Sequence, residues 1–199
     1  IDLRNTINDY SSLIVGPGMS QSHWSLSIFE KLVTALNNDN CMTPIMADAG
    51  FLFLLSSKPF INHNWILTPH PGEAAKMLSC SISKIEENRI ESAISLKEKY
   101  GGVVLLKGNK SIVVIENEVF VCSHGNQSMG TAGMGDCLTG VLSSFITMYQ
   151  SGINYKAILY AIALHSYSAD LLSFKKGVIG ILATDVINMM NAIINKKQT

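Results

Sequence analysis

Gly130-Thr131-Ala132-Gly133-Met134-Gly135-Asp136 is followed at once by an apolar stripe at helical spacing, Leu138, Val141, Leu142, Phe145, Ile146 and Tyr149. Small residues that open an amphipathic helix let backbone N–H groups close around an anion, aided by the positive end of the helix dipole. A transferring phosphate suits such a site. Asp136, in the first turn, would then be placed to accept a proton from a hydroxyl that attacks phosphorus. The same residues also describe a flexible glycine loop with Asp136 as an N-terminal cap, and a short glycine motif alone does not separate the two.

Upstream of this stretch, short apolar runs alternate with helical patterns. Ser12 to Val15 is a run stopped by Gly16-Pro17-Gly18, and Leu26, Phe29, Val33 and Leu36 then recur at helical spacing behind Ser22 as a cap. Pro44 to Ala47, Trp65 to Leu67 and Val103 to Leu106 read as further buried strands, with a polar helical stretch from Ser83 to Tyr100 before the last of them. Strands alternating with helices predict a mostly parallel sheet covered on both faces. Ile112 to Ile115 and Val119 to Cys122, separated by Glu116-Asn117-Glu118, add a hairpin and so an antiparallel edge. Ala157 to Leu164 is apolar on nearly every side and predicts a buried helix, and Thr184 to Asn195 predicts a final amphipathic one. In an open parallel sheet ligands bind outside the carboxyl ends of the strands. Four loops should gather there, beginning at Gly16, Asp48, Thr68 and Lys107.

The chain has 199 residues, of which 47% are apolar, enough for one domain with a sizeable core, and no linker or repeat divides residues 1–199. Fifteen Lys and Arg balance fifteen Asp and Glu, so no long-range field draws the chain to nucleic acid or to an anionic membrane. The four cysteines are widely spaced without a CxxC pair, which predicts reduced thiols and no zinc site. No apolar run approaches the ~20 residues of a membrane span. Ile1 to Tyr10 is too polar for a signal peptide, so the expected location is cytoplasmic.

The motifs resemble those of a known family. GTAGMGDCLTG, Gly130 to Gly140, looks like the anion-hole and catalytic-aspartate signature of ribokinase-like enzymes. LTPHPGEAAKML, Leu67 to Leu78, is similar to the hallmark of the ADP- or ATP-dependent NAD(P)H-hydrate dehydratases, as are VGPGMS from Val15 and VVLLKGNKS from Val103. The four occur in the family's order. The resemblance implies a ribokinase-like fold and an enzyme that uses ATP or ADP, with Mg2+, to dehydrate hydrated NAD(P)H. It implies that Gly18 and His70 contact the hydrated nicotinamide nucleotide and that Asp136 is the acid-base residue beside it. It further implies that Lys107, Gly108, Asn109, Lys110, Ser111, Gly133 and Gly135 hold the adenine nucleotide and its phosphates. A small-molecule kinase of the hydroxyethylthiazole or hydroxymethylpyrimidine type, or a non-catalytic nucleotide-binding protein, would share much of this pattern.

Read by themselves, these residues say less. Lys107 at the end of a buried strand can place a charge on a phosphate while Gly108 lets backbone come close, yet a surface lysine is the commoner case. His70 between prolines sits on a stiff loop, Glu73 suits the start of the next helix, and Asp48 and Asp185 suit helix caps. Cys122 and Cys137 read as small apolar residues. Three positions depart from the family pattern: Ser20 replaces a glycine, Ala132 and Met134 occupy small or hydroxylated positions, and Met134 is bulky beside a phosphate. Family members also carry strands before the equivalent of Ser12. Their absence here predicts an exposed sheet edge and hence a homo-oligomer.

Overall fold

Six strands form one sheet in the computed structural model, in chain order, and the structure describes residues 7–37, 41–148 and 153–196. Tyr149, placed above in the helical stripe, and Ile1 to Thr6 of the polar opening lie outside the described residues. β1 (Leu13–Val15), β2 (Ile45–Ala47), β3 (Trp65–Leu67) and β4 (Val103–Leu106) run parallel. β5 (Ile112–Ile115) and β6 (Glu118–Val121) complete the sheet antiparallel. The hairpin turn is one residue shorter than expected, because Glu116, at φ 48°, and Asn117 make the whole connection and Glu118 already pairs with Ile115.

The strands alternate strictly between two cores. Ile45, Ala47, Trp65, Leu67, Val104, Leu106, Ile112 and Val114 point to one face, and Met46, Ile66, Val103, Leu105, Val113 and Ile115 to the other. Parallel neighbours joined in chain order by right-handed crossovers must place every crossover helix on the same side. α1 (His23–Leu36), α2 (Ala49–Ser57), α3 (Pro71–Leu78), α4 (Ile82–Glu87) and α5 (Arg89–Tyr100) accordingly pack on the first face. The second face is covered by the three helices C-terminal to the sheet, α6 (Met134–Thr147), α7 (Tyr155–Lys176) and α8 (Ala183–Ile194).

Local chemistry sets the helix ends. Ser22 caps α1 by accepting the Ser25 N–H at 3.2 Å, as its position suggests, and Asp185 accepts the Leu182 N–H at the start of α8. The polar stretch from Ser83 to Tyr100 is two helices, because Asn88 adopts φ −132°, ψ 57° and interrupts the ladder. α7 is the larger correction. Its 22 residues extend far beyond Ala157 to Leu164, and by length and composition alone it could cross a bilayer. It instead packs between α6 and α8 with Ala161, Ile162, His165, Ala169 and Leu172 buried, as the core helix of the second face.

Gly16 sets how closely β1 approaches the end of β2. The Asp48 N–H donates to the Val15 carbonyl at 3.0 Å, and a Cβ on Gly16 would lie 1.7 Å from the Asp48 carbonyl oxygen. Gly16 also sits at φ +114°, where a side chain is strained whatever the space. Gly16→Ala is expected to lower stability by about 2 kcal/mol or more in urea unfolding. A change below about 0.5 kcal/mol, the level of a neutral surface substitution, would show that β1 shifts freely.

Candidate functional site

The carboxyl ends of β1 to β4 open on one edge of the sheet, and the N-terminus of α6 arrives at the same edge from the opposite face. An ion pair with a buried carboxylate lies where they meet. Lys107 Nζ, just beyond β4, lies 2.8 Å from Asp48 Oδ1, just beyond β2. Asp48 is 2% exposed, and its carboxylate also accepts the Ala49 N–H at 2.9 Å and the Thr139 hydroxyl from α6 at 3.2 Å. The cap reading of Asp48 holds, and the same carboxylate joins β2, β4 and α6. Glu73 Oε2 lies 4.0 Å from the same ammonium.

His70 N-caps α3 within a capping box. Its Nδ1 accepts the Gly72 N–H at 3.0 Å and the Glu73 N–H at 3.4 Å, while Glu73 Oε2 accepts the His70 N–H at 2.8 Å. Nδ1 is therefore an acceptor, and the neutral ring carries its proton on Nε2, which is half-exposed and lies 3.5 Å from Glu73 Oε1. Gly18 lies in the turn after β1 at φ +72°, where a Cβ would meet nothing within 4 Å.

Across the edge, α6 begins without a side-chain cap. Gly133 is its N-cap at φ +81°, and among the described residues no carbonyl accepts the Gly135 or Asp136 N–H. The Asp136 side chain is exposed and, among the described residues, has neither a hydrogen bond nor an ion pair. It is not the cap that its position allowed. A Cβ on Gly135 would stand 3.3 Å from Lys107 Nζ and 3.6 Å from Asp48 Oδ2, so the ion pair sits against the first turn of the helix. The bulk of Met134 is turned largely into the second core, where it is 5% exposed.

A cavity of about 620 Å3 lies beside this turn, within the range of small-molecule sites. Lys107, Gly108, Asn109 and Ser111 form one wall and Gly130 and Gly135 another. Lys110 and Gly133 belong to the same loops but do not line it, and Gly18, His70 and Asp136 lie outside it. The expected residues thus divide into a group around the cavity and a group outside its walls.

Sequence reading missed several residues here. Asp170 accepts hydrogen bonds from the Gly125 N–H at 3.0 Å and from Asn126 Nδ2 at 2.8 Å, and its Oδ2 lies 3.2 Å from His124 Nδ1. It thereby holds another wall of the cavity. Thr139 and Arg89 also went unread. Thr139 lies inside the quoted glycine string, and Arg89 carries no local signal at all. His165 lines the cavity at 1% exposure, with both ring nitrogens buried and without a hydrogen-bond partner among the described residues. Burial pushes its pKa down to about 4, so the ring is neutral near pH 7.

A parallel sheet with its loops and a glycine-opened helix gathered at one edge defines an α/β protein of the ribokinase-like type. Its structure is similar to that of a ribokinase-like superfamily protein from Enterococcus faecalis V583, with a TM-score of 0.82 and 23% identity over 98% of this chain and 66% of that one. It is also similar to an ADP/ATP-dependent NAD(P)H-hydrate dehydratase from Bacillus subtilis co-crystallised with ATP and Mg2+, with a TM-score of 0.80 and 24% identity over 95% and 65% of the two chains. In sequence it is 35% identical to the bifunctional NAD(P)H-hydrate repair enzyme Nnr of Escherichia coli K12 over 94% of this chain. The NAD(P)H-hydrate dehydratase (Carb_kinase) family pattern matches residues 2–192, and the chain belongs to that family. It spans 35% of the length of the Escherichia coli relative.

His165 supplies a pH test of this geometry. A histidine whose pKa falls from 6.5 in the unfolded chain to about 4 in the folded one binds fewer protons when folded between those values. Its contribution to stability is intact above pH 6.5 and is lost as the pH falls toward 4, a total of about 3 kcal/mol. Urea unfolding from pH 7 to 4 should show wild type losing about that much more stability than His165→Leu. Parallel pH profiles for the two proteins would mean that His165 is protonated without penalty in the folded state.

Proposed function

We propose that the chain dehydrates hydrated NADH or NADPH at the expense of ATP or ADP, as the names of its relatives suggest for those proteins. The observation that carries this reading is the first turn of α6, where the unpartnered Asp136 stands beside uncapped N–H groups and Gly135 abuts Lys107. The terminal phosphoryl group would lie between that turn and Lys107, with the rest of the nucleotide in the cavity lined by Lys107, Gly108, Asn109 and Ser111. The hydrated nicotinamide nucleotide would approach from the opposite side, past Gly18 and the Nε2–H of His70.

The chemistry runs in two balanced steps. The hydroxyl added by hydration loses its proton to Asp136 as its oxygen attacks phosphorus, and the bond between phosphorus and the leaving nucleotide oxygen breaks. The C–O bond of the resulting phosphate ester then breaks, the neighbouring ring carbon gives its proton to water, and the double bond of the nicotinamide ring returns with release of phosphate. N–H groups at the start of α6 and the Lys107 ammonium stabilise the charge that develops on the phosphoryl oxygens.

Magnesium fits this site as an ion held chiefly by phosphate and water. Among the described residues no three His, Cys, Asp or Glu side chains converge, while Asp48 and Glu73 beside Lys107 would face its waters. When bound it neutralises phosphate charge. All the described strands share one sheet, which supports a single domain over residues 1–199. The four free cysteines suit a reducing cytoplasm. β1 has no partner on its outer side among the described residues, which supports a homo-oligomer in which another copy covers that edge.

Calorimetry with ATP, ADP and AMP plus magnesium should give saturable binding, and no heat with any of them at millimolar nucleotide would rule out a nucleotide in the cavity. Asp136→Asn in the full chain should leave ATP affinity within about threefold while lowering turnover of hydrated NADH by ~10²-fold or more. Turnover close to wild type would assign the proton transfer elsewhere.

A further inference from the structure

Arg89, the first residue of α5, reaches beneath the loop that leaves β4. Its Nη2 donates to the Leu106 carbonyl at 3.5 Å and to the Lys107 carbonyl at 3.3 Å, and Nη1 donates to Glu86 Oε2 at 2.9 Å. The Gly108 backbone rests on this guanidinium: a Cβ there would stand 2.8 Å from Nη2 and 2.9 Å from Nη1, at φ +139°. The angle, which side chains rarely adopt, is what calls for glycine here, and the guanidinium lies close against the space a side chain would take.

The two carbonyl contacts orient two successive peptide planes. In a trans peptide the C=O and the following N–H point in opposite directions. With the Leu106 carbonyl held on Arg89, the Lys107 N–H points the other way and donates to the Pro69 carbonyl at 2.8 Å. With the Lys107 carbonyl held on Arg89, the Gly108 N–H is likewise turned away from it. Gly108 lines the cavity, and among the described residues nothing accepts its N–H. A peptide that precedes a glycine rotates at little cost unless something fixes it, and Arg89 is what fixes this one.

Arg89 is also an unfavourable residue to keep for packing alone. Its side chain is 15% exposed, and Nε is buried without a partner among the described residues. An unfilled donor on a charged group costs stability, so a role outside the fold is the better account of its presence.

We propose that Arg89 is a positioning residue for the nucleotide's phosphate chain. It aims the Gly108 N–H at a phosphate oxygen and places a second permanent positive charge under the loop that carries Lys107. This rests on the nucleotide reading of the cavity. The contribution goes through the phosphates and not through the nucleoside, which separates it from a general role in folding.

The test is direct calorimetry of wild type, Arg89→Met and Arg89→Lys with ATP and with adenosine at up to millimolar ligand, alongside thermal unfolding. Methionine keeps much of the side-chain length without the charge, and lysine keeps the charge without the two-pronged donor. ATP should bind Arg89→Met ~10-fold or more weakly than wild type, the scale of losing charge-assisted hydrogen bonding, while adenosine changes less than about twofold. Arg89→Lys, the more conservative replacement, should fall between. Unchanged ATP affinity in both variants, or an equal loss for ATP and adenosine, would overturn the role of Arg89 and leave the cavity assignment standing. Wild-type protein that binds neither ligand would overturn both.

Discussion

The Asp48–Lys107 ion pair is the constraint on which the site depends. A carboxylate at 2% exposure must be neutralised where it sits, and three elements supply the donors: Lys107 after β4, Thr139 in α6 and the N–H of Ala49 in α2. Removing one partner of such a pair typically costs about 3–5 kcal/mol, because the other charge is left buried alone. The pair therefore holds the β2 and β4 ends and the first turns of α6 at fixed separations. It also holds the ammonium in reserve, close to Gly135, where an incoming phosphate would share it.

That convergence comes from the order of the strands. Because β1 to β4 pair in chain order, the crossover helices are confined to one face and the other must be covered by the helices C-terminal to the hairpin. α6 is the first of these. The glycine-rich segment that leads into it must pass the carboxyl edge of the parallel strands to reach the uncovered face. The helix then starts beside Lys107 and Asp48 because the topology offers it no other entry. The second core, built on Leu142, Ile158, Ala161 and Val186, fixes the helix axis, and the ion pair fixes its first turns.

The strands were legible because β1 to β4 are short apolar runs followed within two residues by Gly, Pro or Asp and β5 and β6 are two such runs split by a short polar turn, and all six are found within a residue or so of where that pattern puts them. Helix extents were less so. α7 is apolar on nearly every side only over Ala157 to Leu164, and its polar second half, with His165, Ser168 and Asp170, hid the remaining turns although much of it is buried too. The loops of the site were legible as loops, and their division around the cavity was not. His70 and Lys107 belong to neighbouring strand ends, yet only Lys107 lines the cavity, because the His70 ring turns back to cap its own helix. Arg89 and Asp170 act on groups far away in sequence, 17 to 18 residues in one case and 44 to 46 in the other. No local pattern marks a side chain that binds a distant carbonyl or N–H.

The distribution of unsatisfied polar groups argues that this edge is built for a ligand. Buried polar atoms in folded proteins are almost always hydrogen-bonded, and each exception costs on the order of 1–3 kcal/mol. Among the described residues the buried side-chain nitrogens without partners are Nε of Arg89 and both ring nitrogens of His165. One lies under the loop that walls the cavity and the other is part of the wall. The Gly108 N–H and the uncapped first turn of α6 add unpaired backbone donors at the same place. These deficits gather around one cavity, and nearly all of them are donors. Their sum is a site short of acceptors, which is what the oxygens of a phosphate chain provide.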